Sequence, residues 1–365
     1  MKRSNGEGTV FKSKATRKWV AQVTYYEDGK RKRKTRSANN RSDANSHLRK
    51  LHEEIESGFS KCTDTVGKYL KSWLKNVEHE NTENTFISTR NIIQNHVIPL
   101  IGRKNLTKLS PLDIQDMVDK LRDSGTGSRT VQMAYSYLNT AMIRAYSFRM
   151  IRENPCGPVR KPKHSKAKAN PFSVDEVQSL LKHLKGKQFH NLVYVAITTG
   201  MRPGELFGLF WENVDFDNAQ IHVMQQLSNA GGRKKLKPPK TKSSVRTIDI
   251  SQSTVDALAD QRKQLLRSGH AGSEYVFLGR NGASVGYINF QKIWNAMLSE
   301  AEIEHRGFHQ TRHTFATFAI SGGVPITAVS QALGHANTAI TLSIYAHAMP
   351  SQRSDATNAV SKIIG

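Results

Sequence analysis

Cysteine is nearly missing. The only two, Cys62 and Cys156, stand far apart and form no Cys-x-x-Cys pair. That excludes a disulfide-stapled scaffold and a cysteine-rich zinc module, and it suits a reducing cytoplasm. Long apolar runs are missing as well. No stretch approaches the roughly 20 apolar residues of a membrane span, so no membrane partner is expected. The start, Met1-Lys2-Arg3-Ser4, is basic with no apolar segment behind it, so no signal peptide is expected either. Acidic residues are scarce: 30 Asp and Glu face 54 Lys and Arg, a formal charge of +24. Such an excess repels itself in any compact state, and its usual counterpart is a polyanion, either nucleic acid or an anionic membrane.

The chain nevertheless has enough to fold. Of its 365 residues, 37% are hydrophobic and 23% charged, which excludes disorder throughout. At roughly 100–200 residues per domain, two or three domains are expected. The positive excess is spread along the chain: +8 over residues 1–60, +6 over 61–160 and +10 over 161–365. A basic tail on a neutral enzyme would not give this pattern. It points to a polyanion touched by every segment, with a generally basic solvated surface as the plainer alternative.

Residues 9–36 read as a β-hairpin. Trp19, Ala21, Val23 and Tyr25 alternate with Val20, Gln22, Thr24 and Tyr26, and Asp28-Gly29 supplies the turn. The return strand carries Lys30, Arg31, Lys32, Arg33, Lys34 and Arg36, more cations than an edge strand needs against aggregation. A helix follows, capped by Ser42 or Asp43, with Leu48, Leu51 and Ile55 on one face. This first module ends at residue 58. Residues 63–152 read as a four-helix domain. Its stripes are Val66, Leu70, Trp73, Leu74 and Val77; then Phe86, Ile92, Ile93 and Val97 before Pro99; then Leu112, Met117, Val118 and Leu121 behind the Ser110-Pro111 start; then Val131, Tyr135, Leu138 and Tyr146.

Residues 153–171 hold four prolines and a run of lysines, which predicts an extended basic linker with no core. Residues 172–365 form the largest domain. Ser173 with Glu176 makes a capping box. Short strands are expected at 220–227, 245–250 and 275–278, and helices from Asn289 onward. The tail carries Val360, Ile363 and Ile364 at the spacing of a short apolar helix face. The fold class is therefore α+β and multidomain, with a β-sheet and helix in front, a helical domain next, and a mostly α domain with a small sheet at the end.

Four stretches of the last domain concentrate phosphate chemistry: Thr198-Thr199-Gly200-Met201-Arg202-Pro203-Gly204-Glu205-Leu206, Pro239-Lys240-Thr241-Lys242-Ser243-Ser244-Val245-Arg246, His309-Gln310-Thr311-Arg312-His313, and Leu333-Gly334-His335 followed by Tyr345. Phosphodiester transfer needs cations on the non-bridging oxygens, a proton donor for the leaving oxygen and a nucleophile. Arg202, Lys240, His309, Arg312 and His335 are of the right types for the first two, and Tyr345 for the third. Each residue alone has a structural alternative. Arg202 fits a helix terminus paired with Glu205, the lysines fit a solvated hairpin, and Tyr345 falls at core spacing with Ile340, Ile344 and Ala348. His309 and His313 have the i, i+4 spacing of a zinc pair, but Gln310 stands where a metalloprotease has Glu, so no metal is expected.

In this order the four stretches resemble the tyrosine recombinases, the phage-type integrases. That family has an Arg in a Thr-Gly-(Leu/Met)-Arg-x-x-Glu-Leu box, a hairpin Lys, a His-x-x-Arg box, a Leu-Gly-His box and a Tyr about ten residues later. The likeness covers nearly the whole chain. It implies that Arg202 and Arg312 bind the scissile phosphate and that Lys240, or Lys242 beside it, protonates the leaving 5′-oxygen. It also implies that His309 acts in proton transfer, that His335 hydrogen-bonds the phosphate and that Tyr345 forms a 3′-phosphotyrosine. Glu205 matches the supporting carboxylate. Thr311 stands where the family usually has Leu.

The resemblance further implies a site-specific recombinase that integrates a phage or mobile element, needing no cofactor, metal or ATP. Residues 1–58 would be an arm-type DNA-binding domain with a three-stranded sheet, using Lys30, Arg31, Lys32, Arg33, Lys34 and Arg36. Residues 63–152 would be the core-binding domain. The expected partners are double-stranded DNA at attachment sites, a homotetramer on that DNA, an excision factor and a host DNA-bending protein, in a bacterial cytoplasm. A type IB topoisomerase or hairpin-forming resolvase shares the chemistry, and a non-catalytic DNA-binding regulator shares the fold. The separate front module argues against the first and the complete residue set against the second.

Overall fold

The computed structural model describes residues 8–27, 30–56, 64–164, 169–230, 233–239, 242–279, 281–335 and 337–345. The chain divides into two compact units, Met1–Ser165 and Lys166–Gly365. The Asp28-Gly29 turn, Lys240 and the apolar tail through Ile364 lie outside the described residues.

The first unit opens with the three-stranded antiparallel sheet that the family likeness implies. It consists of β1 (Thr9–Lys12), β2 (Trp19–Glu27) and β3 (Lys30–Ala38), in that order. Ala21 and Val23 of β2 are buried with Leu51 of α1 (Arg41–Glu56), and Val10, Leu48 and Ile55 pack around them. Asn40 caps this helix, in place of the expected Ser42 or Asp43. Its Oδ1 accepts the Asp43 N–H at 2.8 Å, because the helix already starts at Arg41 and puts Ser42 inside the first turn.

Strand register divides the cations of β3. Lys32, Lys34 and Arg36 stand opposite Tyr25, Val23 and Ala21, on the side that α1 covers. There Arg36 donates to Glu54 of α1 at 2.7 Å, and Lys34 lies 4.0 Å from the same carboxylate. Arg31 and Arg33 stand opposite Tyr26 and Thr24 on the other side of the sheet, and both are exposed.

Five helices follow in this unit: α2 (Val66–Glu80), α3 (Glu83–Ile92), α4 (Ile98–Ile101), α5 (Pro111–Asp123) and α6 (Ser128–Ser147). Their stripes form one core with Leu70, Ile93, Ile114, Met117, Leu138 and Met142 at its centre. The second stripe does not stop before Pro99. A π turn at Ile93–Val97 joins α3 to α4, with the Ile98 N–H on the Ile93 carbonyl. Pro99 then falls in the first turn of α4, where a missing N–H costs no helical bond. Leu112 and Tyr146, expected inward, are 69% and 51% exposed, since each sits in a terminal turn beyond the edge of the core.

The stretch expected as an extended linker is partly folded. Cys156 and Val159 are buried in the helical core. The Tyr135 hydroxyl lies 2.8 and 2.9 Å from their carbonyl oxygens, and Asn154 Oδ1 accepts the Cys156 N–H at 3.0 Å. Composition misleads here because Pro and Gly also build compact turns, and a tyrosine from α6 satisfies the backbone they expose. Burial pushes the Cys156 thiol up to about 12, so it is a packing residue and not a nucleophile.

The second unit contains α7 (Val174–Leu184), α8 (His190–Thr199) and α9 (Pro203–Phe207), followed by five short strands: β4 (Val214–Asp215), β5 (Gln220–Val223), β6 (Gln226–Ala230), β7 (Arg233–Lys237) and β8 (Arg246–Asp249). Strands β4, β5 and β8 make one antiparallel sheet, and β6 with β7 makes a separate ribbon. The helices α10 (Gln252–Arg267), α11 (Tyr287–Glu300), α12 (Gln310–Ser321), α13 (Ile326–Leu333) and α14 (Thr338–Tyr345) complete it. Residues 275–278 form only isolated bridges, Phe210 with Tyr275 and Leu278 with Ser284. The Val276 N–H donates to Leu209 O at 3.0 Å, and the Gln261 side chain meets the Val276 carbonyl at 3.0 Å. The expected capping box at Ser173 and Glu176 is present. Helix α8 runs through the centre, with Leu192, Val193, Val195 and Ala196 fully buried. Among the described residues no helix is long and apolar enough to cross a membrane.

Candidate active site

Two glycines in the motifs are needed for backbone reasons. Gly200 ends α8 at φ +62 and Gly334 ends α13 at φ +64. Such angles strain any residue with a Cβ. A Cβ on Gly200 would also stand 2.6 Å from the Phe315 ring, and one on Gly334 2.9 Å from the Ser243 carbonyl oxygen. At Gly334 the helix closes with the Gly334 N–H on Gln331 O at 2.8 Å and the His335 N–H on Ser330 O at 3.1 Å. That double closure aims the His335 side chain from a fixed point.

Helix ends leave carbonyl oxygens unpaired and carry partial negative charge. Here arginines fill those positions. Arg312 Nη1 donates to Gly200 O at 2.9 Å and Nη2 to Leu333 O at 2.7 Å. Arg202 Nη2 donates to Gly334 O at 3.0 Å, and Arg246 Nε to Ala332 O at 2.7 Å. Three guanidinium groups from distant parts of the sequence therefore meet at the C-terminal end of α13.

Glu205 holds two of them. One carboxylate oxygen accepts from Arg202 Nη1 at 2.7 Å and Arg246 Nη1 at 3.2 Å. The other accepts the Arg202 N–H at 2.9 Å and Arg246 Nη2 at 3.0 Å. Burial pushes this carboxyl up, but the hydrogen bonds and charges of Arg246 and Arg202 outweigh it and hold the group below its ordinary range. The Glu205 side chain is 2% exposed and that of Arg246 7%; removing Glu205 leaves the buried Arg246 without its counter-charge, at a cost of about 3–5 kcal/mol, whereas removing Arg246 leaves Glu205 still paired with Arg202. Arg246 is the residue that sequence reasoning passed over. It stood at the end of the lysine stretch, and nothing in its spacing shows that β8 turns it onto Glu205.

His309 precedes α12, and Arg312 lies one turn into that helix. The box is held from behind by aromatic packing: Phe308 lies 4.8 Å from Phe290 and 5.0 Å from Trp294, ring centre to ring centre. Arg306 adds a bidentate pair to Glu176 at 2.7 and 2.8 Å. Thr311, the departure from the family pattern, is buried and donates its hydroxyl to Phe308 O at 2.8 Å. The His309 and His313 rings meet edge-on, with centroids 5.2 Å apart. Nδ1 of His335 lies 2.7 Å from the Thr341 hydroxyl. Among the described residues no group of three or more His, Cys, Asp or Glu is gathered as a metal site.

Desolvation, followed by the charges of His313, Arg312 and Arg202, lowers His309 to about 4, although the residue as a whole is exposed. Desolvation and the charges of Arg312 and Arg202 lower His335 to about 4. His313 and His190 are lowered too, both chiefly by burial. Both site histidines are therefore neutral at neutral pH. From an ordinary value of 6.5 down to about 4, the unfolded chain binds protons that the folded chain refuses. The histidines' contribution is thus fully present above 6.5 and is lost as pH falls through that window. Glu176 and Glu205, both lowered from 4.5, add to the loss only below that value. The unfolding midpoint is expected to drop between pH 7 and pH 5, and the drop should shrink in a His309→Gln, His335→Gln double variant. Equal slopes for variant and wild type would contradict the neutral histidines.

Arg202, Glu205, Arg312, His309 and His335 are thus brought together. Tyr345 is the last residue of α14, which packs against α12 and α13. Lys242 begins a short 3-10 turn, Lys242–Ser244, that leads into β8. The cations of β3 belong to the other unit.

This arrangement has relatives. Residues 170–352 match the model of the phage integrase family, and residues 65–122 match that family's N-terminal SAM-like domain. A tyrosine recombinase XerC-like protein of Caldanaerobacter subterraneus subsp. tengcongensis is 29% identical over 326 residues, covering 82% of this chain and 83% of its own. Among solved structures, the Tn1549 transposon integrase with a circular intermediate DNA superposes with a TM-score of 0.70 at 20% identity, over 83% of this chain and 100% of that one. A lambda integrase tetramer bound to a Holliday junction does so with 0.61 at 15% identity, over 96% and 97%. With both family models matched in order, and with Arg202, Glu205, His309, Arg312 and His335 brought together, the chain belongs to the phage integrase family, the tyrosine recombinases, and is an enzyme of site-specific DNA recombination that cuts and rejoins DNA.

Proposed function

We propose that the chain integrates a phage or conjugative element by acting on double-stranded attachment sites through Tyr345. The observation that carries this reading is the meeting of Arg202 and Arg312 at the carbonyl ends of α8 and α13, beside His335. Guanidinium groups held this way need no reorganisation to receive a phosphate, which is where such sites gain most of their rate. Tyr345 Oη attacks the phosphorus and the bond to the 5′-oxygen breaks. Neutral His309 is suited to take the tyrosine proton, and Lys240 delivers one to the leaving oxygen. Arg202, Arg312 and His335 hold the non-bridging oxygens, and Glu205 keeps Arg202 in place. A 5′-hydroxyl from the partner strand then attacks the 3′-phosphotyrosine and frees Tyr345. The bond energy stays in the covalent intermediate, so the scheme uses neither ATP nor a cofactor.

Residues 1–58, 63–152 and 172–365 would act as arm-binding, core-binding and catalytic modules. Arg31 and Arg33, on the exposed side of the front sheet, are the best placed of its cations for DNA; Lys30, Lys32, Lys34 and Arg36 add to the field. A homotetramer on paired sites, an excision factor and a host DNA-bending protein complete the reading, in a bacterial cytoplasm. The test is incubation with a labelled nicked site and then with two sites. A covalent adduct and strand exchange are expected. An adduct without exchange would indicate a topoisomerase or resolvase, and binding without an adduct a regulator.

Lys240→Ala is expected to lose cleavage and to regain it on DNA whose bridging 5′-oxygen is sulfur, because a thiolate leaves without a proton donor. Rescue confined to Lys242→Ala would move the general acid to Lys242.

A further inference from the structure

We propose that Thr341 is a positioning residue whose hydroxyl donates to Nδ1 of His335 and so keeps the imidazole proton on Nε2, ready to donate to the scissile phosphate. The inference rests on the reading of His335 as a phosphate ligand. Thr341 is fully buried, and its Oγ1 lies 2.7 Å from His335 Nδ1. A helical threonine often spends its hydroxyl on the carbonyl four residues earlier. Among the described residues Thr341 has no such bond, and its hydroxyl meets the histidine alone.

A neutral imidazole has one proton and two nitrogens, so whatever meets one nitrogen decides what the other offers. Burial, and after it the cationic surroundings, keep His335 neutral at neutral pH. A carbonyl or carboxylate beside Nδ1 accepts only. It would draw the proton there and leave Nε2 as an acceptor, which a phosphate oxygen repels. A hydroxyl can donate. It alone among these groups lets a neutral His335 present N–H to an anion.

The position of Thr341 adds a second consequence. It lies in α14, four residues before Tyr345, hence one helical turn from the nucleophile's place on the same element. The residue that sets the His335 proton and the residue read as the nucleophile therefore belong to one helix.

The test is nitrogen NMR of the full chain labelled at histidine, with the His335 signals assigned by their loss in His335→Gln. Wild type is expected to show an Nε2-protonated ring at pH 7. Thr341→Val, which keeps the shape and removes the hydroxyl, should give a mixture of tautomers and cleave a nicked site about 2- to 5-fold more slowly, in proportion to the donating tautomer lost. Thr341→Ser should restore both the tautomer and most of the rate. An Nδ1-protonated ring in wild type would overturn the proposal. So would a Val variant that keeps the wild-type tautomer and rate, or Ser and Val variants that slow alike with the tautomer unchanged. If wild type forms no adduct at all, the recombinase reading fails, while the wild-type and Val spectra still decide the role of Thr341.

Discussion

Tyr345→Phe is expected to form no covalent adduct on a nicked attachment site while binding that DNA within a few-fold of wild type. The change removes one oxygen and leaves the Arg202, Arg312 and Glu205 framework intact. Losing the nucleophile of an enzyme whose groups act as a unit costs on the order of a million-fold in rate, below detection in a gel assay. Denaturing electrophoresis of labelled DNA measures it, and a mobility-shift titration measures binding in parallel. The chain has ten tyrosines. An undiminished adduct would mean that another of them attacks and that α14 does not carry the nucleophile. Binding lost together with cleavage would mean that Tyr345 serves the fold.

The second large effect is expected at Arg312. Replacing it with Ala should slow cleavage at saturating DNA by about 10²–10³-fold, the usual loss when a charge-stabilising donor disappears from a transition state. The arginine is buried and joins Gly200 O to Leu333 O, so the variant also leaves two carbonyl oxygens unpaired. Each such loss costs about 1–3 kcal/mol of stability. Arg312→Lys separates the two effects. It keeps the charge but cannot span both carbonyls or grip a phosphate with a planar fork. Both variants should cleave slowly, and the lysine variant should melt closer to wild type. Cleavage at wild-type rate by Arg312→Ala would remove Arg312 from the phosphate clamp and leave it a structural tie between α8 and α13.

Much of the front and middle of the chain was legible because it obeys local rules. The alternation in β2 puts Ala21 and Val23 on one side, the stripe of α2 buries Leu70 and Trp73, and the N-cap at Ser110 and the capping box at Ser173 start their helices. Local rules failed where a tertiary partner outbid them. Pro99 stays helical because a π turn widens the backbone just before it. Residues 275–278 pair only through isolated bridges, and the Val276 carbonyl meets a side chain, Gln261. The proline-rich stretch after α6 buries Cys156 because Tyr135 reaches its backbone. The cations of β3 looked alike in sequence, and only the register shows that Arg36 and Lys34 lie toward Glu54 while Arg31 and Arg33 lie on the other side.

The order of motifs, with arginine, histidine and tyrosine at family spacing, was determined by the sequence alone, because those side chains are what phosphate chemistry demands wherever they sit. The tertiary structure decided how the cations coexist. Arg202, Arg246 and Arg312 come from three distant segments and would repel one another. They meet only because the end of α13 turns its Ala332, Leu333 and Gly334 carbonyls toward them and Glu205 lies buried between two of them. Carbonyl direction and carboxylate burial are properties of packed helix ends, and spacing along a chain does not carry them.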